Sequence, residues 1–363
     1  MKKSEGSSFF TNRQVTIIII CVTVIFVLMG LTTIVAVIVD HDDSEEVEKK
    51  ELVLDETDNS SDAEGRKYKF SKEGKRTEKE DSVVVNKPIE GDPYKELDEL
   101  IGLESVKQEV NTLANFVKVQ KMREAKGLKN PKLSYHLVFT GSPGTGKTTV
   151  ARIVARIYKD LGILKKGHLV ETDRSGLIGQ YVGQTAPRVN AVCDSALNGV
   201  LFIDEAYALT QSESKKDYGD EAVATLLKRM EDDRDKLIVI VAGYPKEMNK
   251  FIETNPGLKS RFNRYINFPD YTSDELFKIF QLYLKKNQYT ISKEAESYLR
   301  QQLDGVVQTK SRNFGNARYV RNLFEKAIQC QADRLSTVSN PTNEDLLELK
   351  QADLQIAIGQ VAK

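Results

Sequence analysis

Tryptophan is absent from the 363 residues, cysteine and histidine occur three times each, and Lys+Arg and Asp+Glu cancel at 53 apiece. Cys21, Cys193 and Cys330 lie far apart with no Cys-x-x-Cys spacing, and the histidines do not cluster, so neither a disulfide framework nor a zinc site is indicated. A net charge of zero argues against a nucleic-acid partner, which calls for a basic surface. What the chain does hold is apolar residues, 40% of the total, enough to build a sizeable core in about two to three domains.

The most specific pattern is Gly141-Ser142-Pro143-Gly144-Thr145-Gly146-Lys147-Thr148, continued by Thr149. It follows Leu137-Val138-Phe139-Thr140, which reads as a buried strand, and precedes a helical pattern over Val150 to Asp160. Strand, glycine loop and helix in that order form a phosphate cradle, with backbone N–H groups pointing inward and the helix N-terminus adding partial positive charge. Lys147 then reaches the β- and γ-phosphates, and the Thr148 hydroxyl can bind Mg²⁺. The expected ligand is a nucleoside triphosphate with Mg²⁺, and with a segment upstream that could close over an adenine ring the cofactor assigned is ATP.

Gly199-Val200-Leu201-Phe202-Ile203-Asp204-Glu205 is an apolar strand ending in two acids. Asp204 can hold the Mg²⁺ shell and Glu205 can polarise the attacking water; the plainer alternative, that these acids only cap a helix, loses weight once the strand is paired with the phosphate loop. Further strands are expected at His168–Thr172, Leu237–Tyr244 and Tyr265–Phe268. Continuous apolar strands alternating with helices indicate a parallel sheet covered on both faces, an α/β fold. Upstream, order begins near Pro93, and the segment from Asp98 to Leu103, with Ile101 and Gly102, could close over an adenine ring. The stretch Gly176 to Gly183 reads as a loop holding Leu177, Ile178, Tyr181 and Val182, an unusual amount of apolar surface for a connection unless Tyr181 packs on its own domain.

From Thr272 onward the period is helical only. Thr272-Ser273-Asp274-Glu275 is a capping box, and helices are expected through Glu294–Leu303, Arg318–Arg334 and Glu344–Gly359, forming a separate all-helical lid. Gly315-Asn316-Ala317-Arg318 opens one of them, and there Arg318 is either a surface residue or a group that swings onto bound phosphate.

At the other end of the chain, no charged residue occurs from Gln14 to Val39, long enough for one transmembrane helix over residues 15–39 after a short segment 1–14; a cleaved signal peptide is the rival reading. Residues 40–92 are rich in Glu, Asp, Lys and Ser and read as a charged flexible linker, or else as a docking site for a basic partner. Lys2, Lys3 and Arg13 weakly favour an inside N-terminus, but ATP is scarce outside, so the body is placed in the cytoplasm.

From about Leu97 to Ile358 the assembled motifs resemble the CbxX/CfqX branch of the AAA+ ATPases. The residues carrying the likeness are the phosphate loop, Gly179-Gln180-Tyr181-Val182-Gly183-Gln184-Thr185-Ala186-Pro187, Leu201-Phe202-Ile203-Asp204-Glu205-Ala206-Tyr207, Ala242-Gly243-Tyr244, Asn255-Pro256-Gly257-Leu258 with Ser260-Arg261-Phe262, and Gly315-Asn316-Ala317-Arg318. The resemblance implies an AAA+ nucleotide-binding domain over residues 93–269 and the lid over 270–363. It implies a substrate-gripping pore loop with Tyr181 and Val182, Arg261 as an arginine finger supplied to the neighbouring subunit, Arg318 as the sensor 2 arginine, and work as a homo-hexameric ring. Gly243 and Tyr244 stand where many relatives carry a polar sensor 1 residue. The expected function is a membrane-anchored ATPase that remodels or threads a protein substrate, in secretion or membrane-associated chaperone work. The alternative is an ATP-dependent scaffold or switch at the membrane.

Overall fold

The computed structural model describes residues 83–361 apart from 87, 89, 132–133, 211–217 and 312–313. The expected membrane helix at 15–39 and most of the 40–92 segment lie outside the described residues, among which no helix is long and apolar enough to cross a membrane.

Strands β1 (Val84–Asn86), β2 (Leu137–Gly141), β3 (Leu169–Thr172), β4 (Gly199–Ile203), β5 (Leu237–Gly243) and β6 (Tyr265–Phe268) form one sheet in the order β1-β3-β4-β5-β2-β6. All its pairings are parallel except the edge, where β1 runs antiparallel to β3 with Val85 opposite Val170. The edge strand corrects two expectations. The sheet is not wholly parallel, and a strand lies inside the segment read as linker and ahead of Pro93, because a short apolar patch suffices when an exposed sheet edge offers it backbone partners.

Every residue of β2, β4 and β5 is buried, which is why these segments read as unbroken apolar runs. Alternate side chains nevertheless go to different cores. Phe139, Phe202 and Ile240 join one cluster, while Val138, Leu201, Ile203 and Val239 join the other. Helices α1 (Pro93–Glu99), α2 (Glu104–Ala125) and α3 (Lys147–Asp160) contribute to the first. After the single turn α4 (Arg174–Leu177), helices α5 (Thr185–Ser195), α6 (Gly219–Asp232), α7 (Pro245–Glu253) and α8 (Pro256–Arg261) contribute to the second.

The lid joins the first core through Leu276, Phe277 and Phe280 of α9 (Ser273–Lys286). Thr272 and Glu275 close the expected capping box on it, both hydrogen bonds being present. Next come β7 (Thr290–Ile291), α10 (Lys293–Thr309) and α11 (Ala317–Leu335). The single helix expected over Glu344–Gly359 is instead two, α12 (Asn343–Leu347) and α13 (Gln351–Val361), separated by β8 (Glu348–Leu349), which pairs in parallel with β7. The lid is therefore not purely helical. The break has a local cause: the Gln331 side-chain amide donates to the carbonyls of Asp345, Leu346 and Glu348 at 3.0–3.1 Å, serving groups that a continuous helix would have bonded internally. Leu349 is fully buried, and Arg334 pairs with the buried Asp353 at 2.9 Å to fix the start of α13.

Candidate nucleotide site

The loop between β2 and α3 turns on glycine geometry. Gly144 has φ +69° and Gly146, the residue before α3, has φ +92°, both in the left-handed region that a side chain disfavours. A Cβ at residue 144 would also collide with the Gly315 carbonyl oxygen, so the loop and the start of α11 meet backbone to backbone. α3 begins at Lys147, earlier than the Val150 start expected, which puts the positive end of the helix on the loop itself.

This loop forms one wall of a cleft of about 540 Å³. Gly141, Pro143, Gly144, Gly146, Lys147, Thr148 and Thr149 line it, with Asp204 and Glu205 from the end of β4 and Arg318 from α11. Leu100, Ile101 and Leu103 supply the apolar part. Three expected contact residues do not reach the wall. Thr145 is fully buried and its hydroxyl donates to the Ser142 carbonyl at 2.8 Å, the Ser142 side chain bonds Asp270, and Gly102 backs onto the Glu275 side chain. These residues shape the loop and the entrance.

The Lys147 ammonium donates to the carbonyls of Gly141 (2.9 Å) and Ser142 (2.8 Å). Burial pulls its pKa below the ordinary lysine value, against the opposing pull of Asp204 and Glu205. Asp204 accepts from the Glu205 backbone N–H at 3.0 Å, and Glu205 sits at φ +48°, a conformation that costs a non-glycine residue about 1 kcal/mol or more and recurs at functional sites. The oxygen donors Thr148 and Asp204 share the cleft, and the described residues hold no cluster of three or more His, Cys, Asp or Glu fit to bind a metal. Such a donor set suits Mg²⁺, which takes one or two protein oxygens and completes its shell from phosphates and water.

At the tip of β5, Gly243 and Tyr244 also line the cleft, so the departure from a polar residue there is real in three dimensions. The Tyr244 ring lies 6.2 Å from that of Tyr207, whose phenol is pushed up to about 12 by burial and then by the nearby Glu205 carboxylate.

The strongest link between lid and loop was only partly legible in the sequence. Asn316 is fully buried at φ +47°, and its side-chain amide donates to Asp270 (2.9 Å), the Phe314 carbonyl (3.0 Å) and the Pro143 carbonyl (3.3 Å) while accepting from Tyr271 N–H (2.9 Å). Next to it the Ala317 N–H donates to the Gly144 carbonyl at 3.1 Å. Burial raises the Asp270 pKa, but hydrogen bonds from Lys310, Asn316 and Ser142 outweigh it and hold the carboxylate below its usual range. Tyr271 and Arg321 line the cleft without having been anticipated. Arg321 lies one turn beyond Arg318, and helical spacing alone could have nominated it.

Two expected functional groups lie elsewhere. Arg261, at the end of α8, does not line this cleft. In the stretch Gly176 to Gly183, Leu177 is buried in α4, whereas Tyr181 and Val182 are 68% and 83% exposed. The Thr185 hydroxyl accepts from Gly179 N–H (3.1 Å) and the Gln184 side chain from Tyr181 N–H (3.2 Å), fixing the base of the loop while leaving its tip in solvent.

Comparison with known proteins matches the family described as "ATPase family associated with various cellular activities (AAA)" over residues 137–270, and the AAA lid domain over 272–363. The chain is 42% identical to stage V sporulation protein K of Bacillus subtilis (strain 168), covering 72% of this chain and 81% of that protein. It is 43% identical to the chloroplastic ribulose bisphosphate carboxylase/oxygenase activase of Cyanidioschyzon merolae, covering 70% and 87%. With the ESX-3 secretion system protein EccA3 of Mycolicibacterium smegmatis it shares 45% identity over 72% of this chain and 45% of the relative. Among solved structures, the AAA domain of FIGL-1 in complex with ADP superposes with TM-score 0.54 at 20% identity, covering 77% and 86%, a likeness of fold.

Proposed function

This chain is an ATP-hydrolysing enzyme of the AAA family, in the branch of stage V sporulation protein K and the CfxQ proteins, and from that premise we propose that it is a membrane-anchored motor acting on a protein substrate. In the cleft, the glycine loop and the N-terminus of α3 receive the phosphates, and Lys147 exchanges its two loop carbonyls for phosphate oxygens. Thr148 and Asp204 hold Mg²⁺, which when bound neutralises charge on the phosphates. Glu205 orients the attacking water and takes its proton, and Arg318 brings the lid's charge to the phosphates. Arg261, outside its own cleft, completes the site of a neighbouring subunit in a homo-hexameric ring.

The observation that carries the motor reading is the pair Tyr181 and Val182, exposed at the tip of a loop whose base is hydrogen-bonded. An aromatic ring can grip many peptide segments through its apolar face, and a tip of this kind has no evident use in hydrolysis alone. Residues 15–39 anchor the chain as a single-pass helix, and the ATPase body faces the cytoplasm, where ATP is. The test is the full chain carrying Glu205→Gln, extracted from membranes with ATP. It should be found as a hexamer retaining substrate polypeptide, and protease added to intact cells should spare the body. A monomer under saturating ATP, or digestion with the membrane sealed, would contradict the reading.

A further inference from the structure

Away from the nucleotide cleft, a cavity of about 320 Å³ opens beside the ends of α6 and α8, with Glu231, Arg234, Ser260, Arg261 and His136 in its wall. Glu231 gives one carboxylate oxygen to each of two guanidiniums, Oε1 lying 3.1 Å from Arg234 Nη1 and Oε2 lying 3.2 Å from Arg261 Nη2. His136 accepts from Val239 N–H at 2.9 Å, and burial followed by the nearness of Arg261 pushes its pKa down to about 4, so it is neutral at pH 7. These four titratable groups therefore leave the wall with a surplus of one positive charge.

Neither arginine is firmly held. The buried Arg261 Nε has no hydrogen-bond partner among the described residues, and its Nη1 contact to the Gly257 carbonyl is long at 3.3 Å. Arg229 on α6 shows what a structural arginine looks like here, with Asp194 at 2.7 Å, Asp233 at 2.6 Å and the Asn190 carbonyl at 3.0 Å. Arg264, near Arg261 in sequence, is stacked over the Phe116 ring at 4.6 Å. Ion pairs as accessible as those of Glu231 contribute little and are readily exchanged.

We propose that Arg234 is a second trans-acting arginine, meeting together with Arg261 the terminal phosphates of nucleotide bound to a neighbouring copy of this chain, with Glu231 as the carboxylate that holds both until phosphate displaces it. A carboxylate and a phosphate compete for the same guanidinium fork, and the triphosphate brings more charge and more acceptor oxygens. In the free subunit Glu231 also keeps two like charges side by side that would otherwise repel. The inference rests on the reading of Arg261 as acting in trans.

The test uses the full chain and intermolecular complementation. Arg234→Ala should lower kcat about 10-fold to 100-fold, the value of a charge-assisted hydrogen bond, with KM for ATP little changed. Mixing it one to one with Lys147→Ala, which keeps both arginines but cannot bind nucleotide, should restore turnover above either variant alone. Glu231→Gln should shift half-maximal activity to lower protein concentration. Wild-type turnover in Arg234→Ala, or a loss without complementation while Arg261→Ala is still complemented, overturns the proposal and leaves Arg261 in place. Failure of Arg261→Ala to be complemented removes the trans reading and the proposal with it. A shift to higher concentration in Glu231→Gln overturns the placeholder role.

Discussion

The cleft and the loop tip at residues 181–182 lie within one sheet-centred body, yet they are built in opposite ways. Around the cleft the functional groups have partners inside the protein: Lys147 on two carbonyls, Asp204 on the Glu205 amide, Asn316 in four hydrogen bonds that tie lid to loop. At the tip, Tyr181 and Val182 present apolar side chains to solvent, and only the backbone beneath them is anchored. A site that must stabilise a transition state benefits from groups fixed in advance, whereas a surface that grips varied polypeptide needs freedom. Hydrolysis and gripping are thus expected to be separable by mutation.

The largest effects are expected at the groups proposed to meet phosphate or water. Arg261→Ala should reduce turnover of the assembled enzyme by on the order of 10³-fold. The specific activity of wild type should also rise with protein concentration; constant activity down to a demonstrable monomer would rule out supply in trans. Glu205→Gln should bind ATP but hydrolyse it about 10²-fold to 10⁴-fold more slowly, and normal turnover would remove Glu205 from the mechanism. Lys147→Ala, in contrast, should lose nucleotide affinity itself.

Intermediate effects probe how firmly the body around the cleft is held. Since burial lowers the His136 pKa from 6.5 to about 4, the unfolded chain binds the extra proton first as pH falls. The stability that neutral His136 secures is complete above pH 6.5 and is lost on acidification towards pH 4, by about 3 kcal/mol at most. His136→Gln should flatten that loss in denaturant titrations across the window, and parallel curves would exclude the assignment. Asn316→Ala strands the Tyr271 N–H and deprives Asp270 of a donor, a loss of about 1–3 kcal/mol. It should also lower turnover by loosening Arg318, and an unchanged denaturation midpoint would show that the lid does not depend on this side chain.

The smallest stability effect is expected at the tip. Tyr181→Ala removes a ring that is 68% exposed, so stability should change by less than about 0.5 kcal/mol. ATP binding should persist and substrate remodelling should stop. Loss of folding or of ATP affinity would make Tyr181 part of the body.

Much of this architecture was legible because the apolar runs of β2, β4 and β5 are buried at every residue, and burial on both faces leaves a plain trace in sequence. The phosphate loop and the Asp204-Glu205 pair were legible for the same kind of reason, since few residue types can do their work at that spacing. The edge strand β1 was not, because three residues carry no periodicity and the pairing depends on β3, more than 80 residues away. Nor was the split between α12 and α13, which is set by Gln331 from another helix. Tyr271 and the bonds of Asn316 are products of the lid meeting the loop, a tertiary fact with no local signature, whereas Arg321 was open to nomination by its spacing from Arg318.

The central claim is that ATP in the cleft sets the tip against a polypeptide. A photo-crosslinking amino acid placed at position 181 of the full chain, in the Glu205→Gln background and in membranes, tests it directly. With ATP, illumination should join the tip to polypeptides other than this chain, and the adducts should disappear when ATP is withheld. Adducts that form equally without ATP, or only with copies of the chain itself, would contradict it.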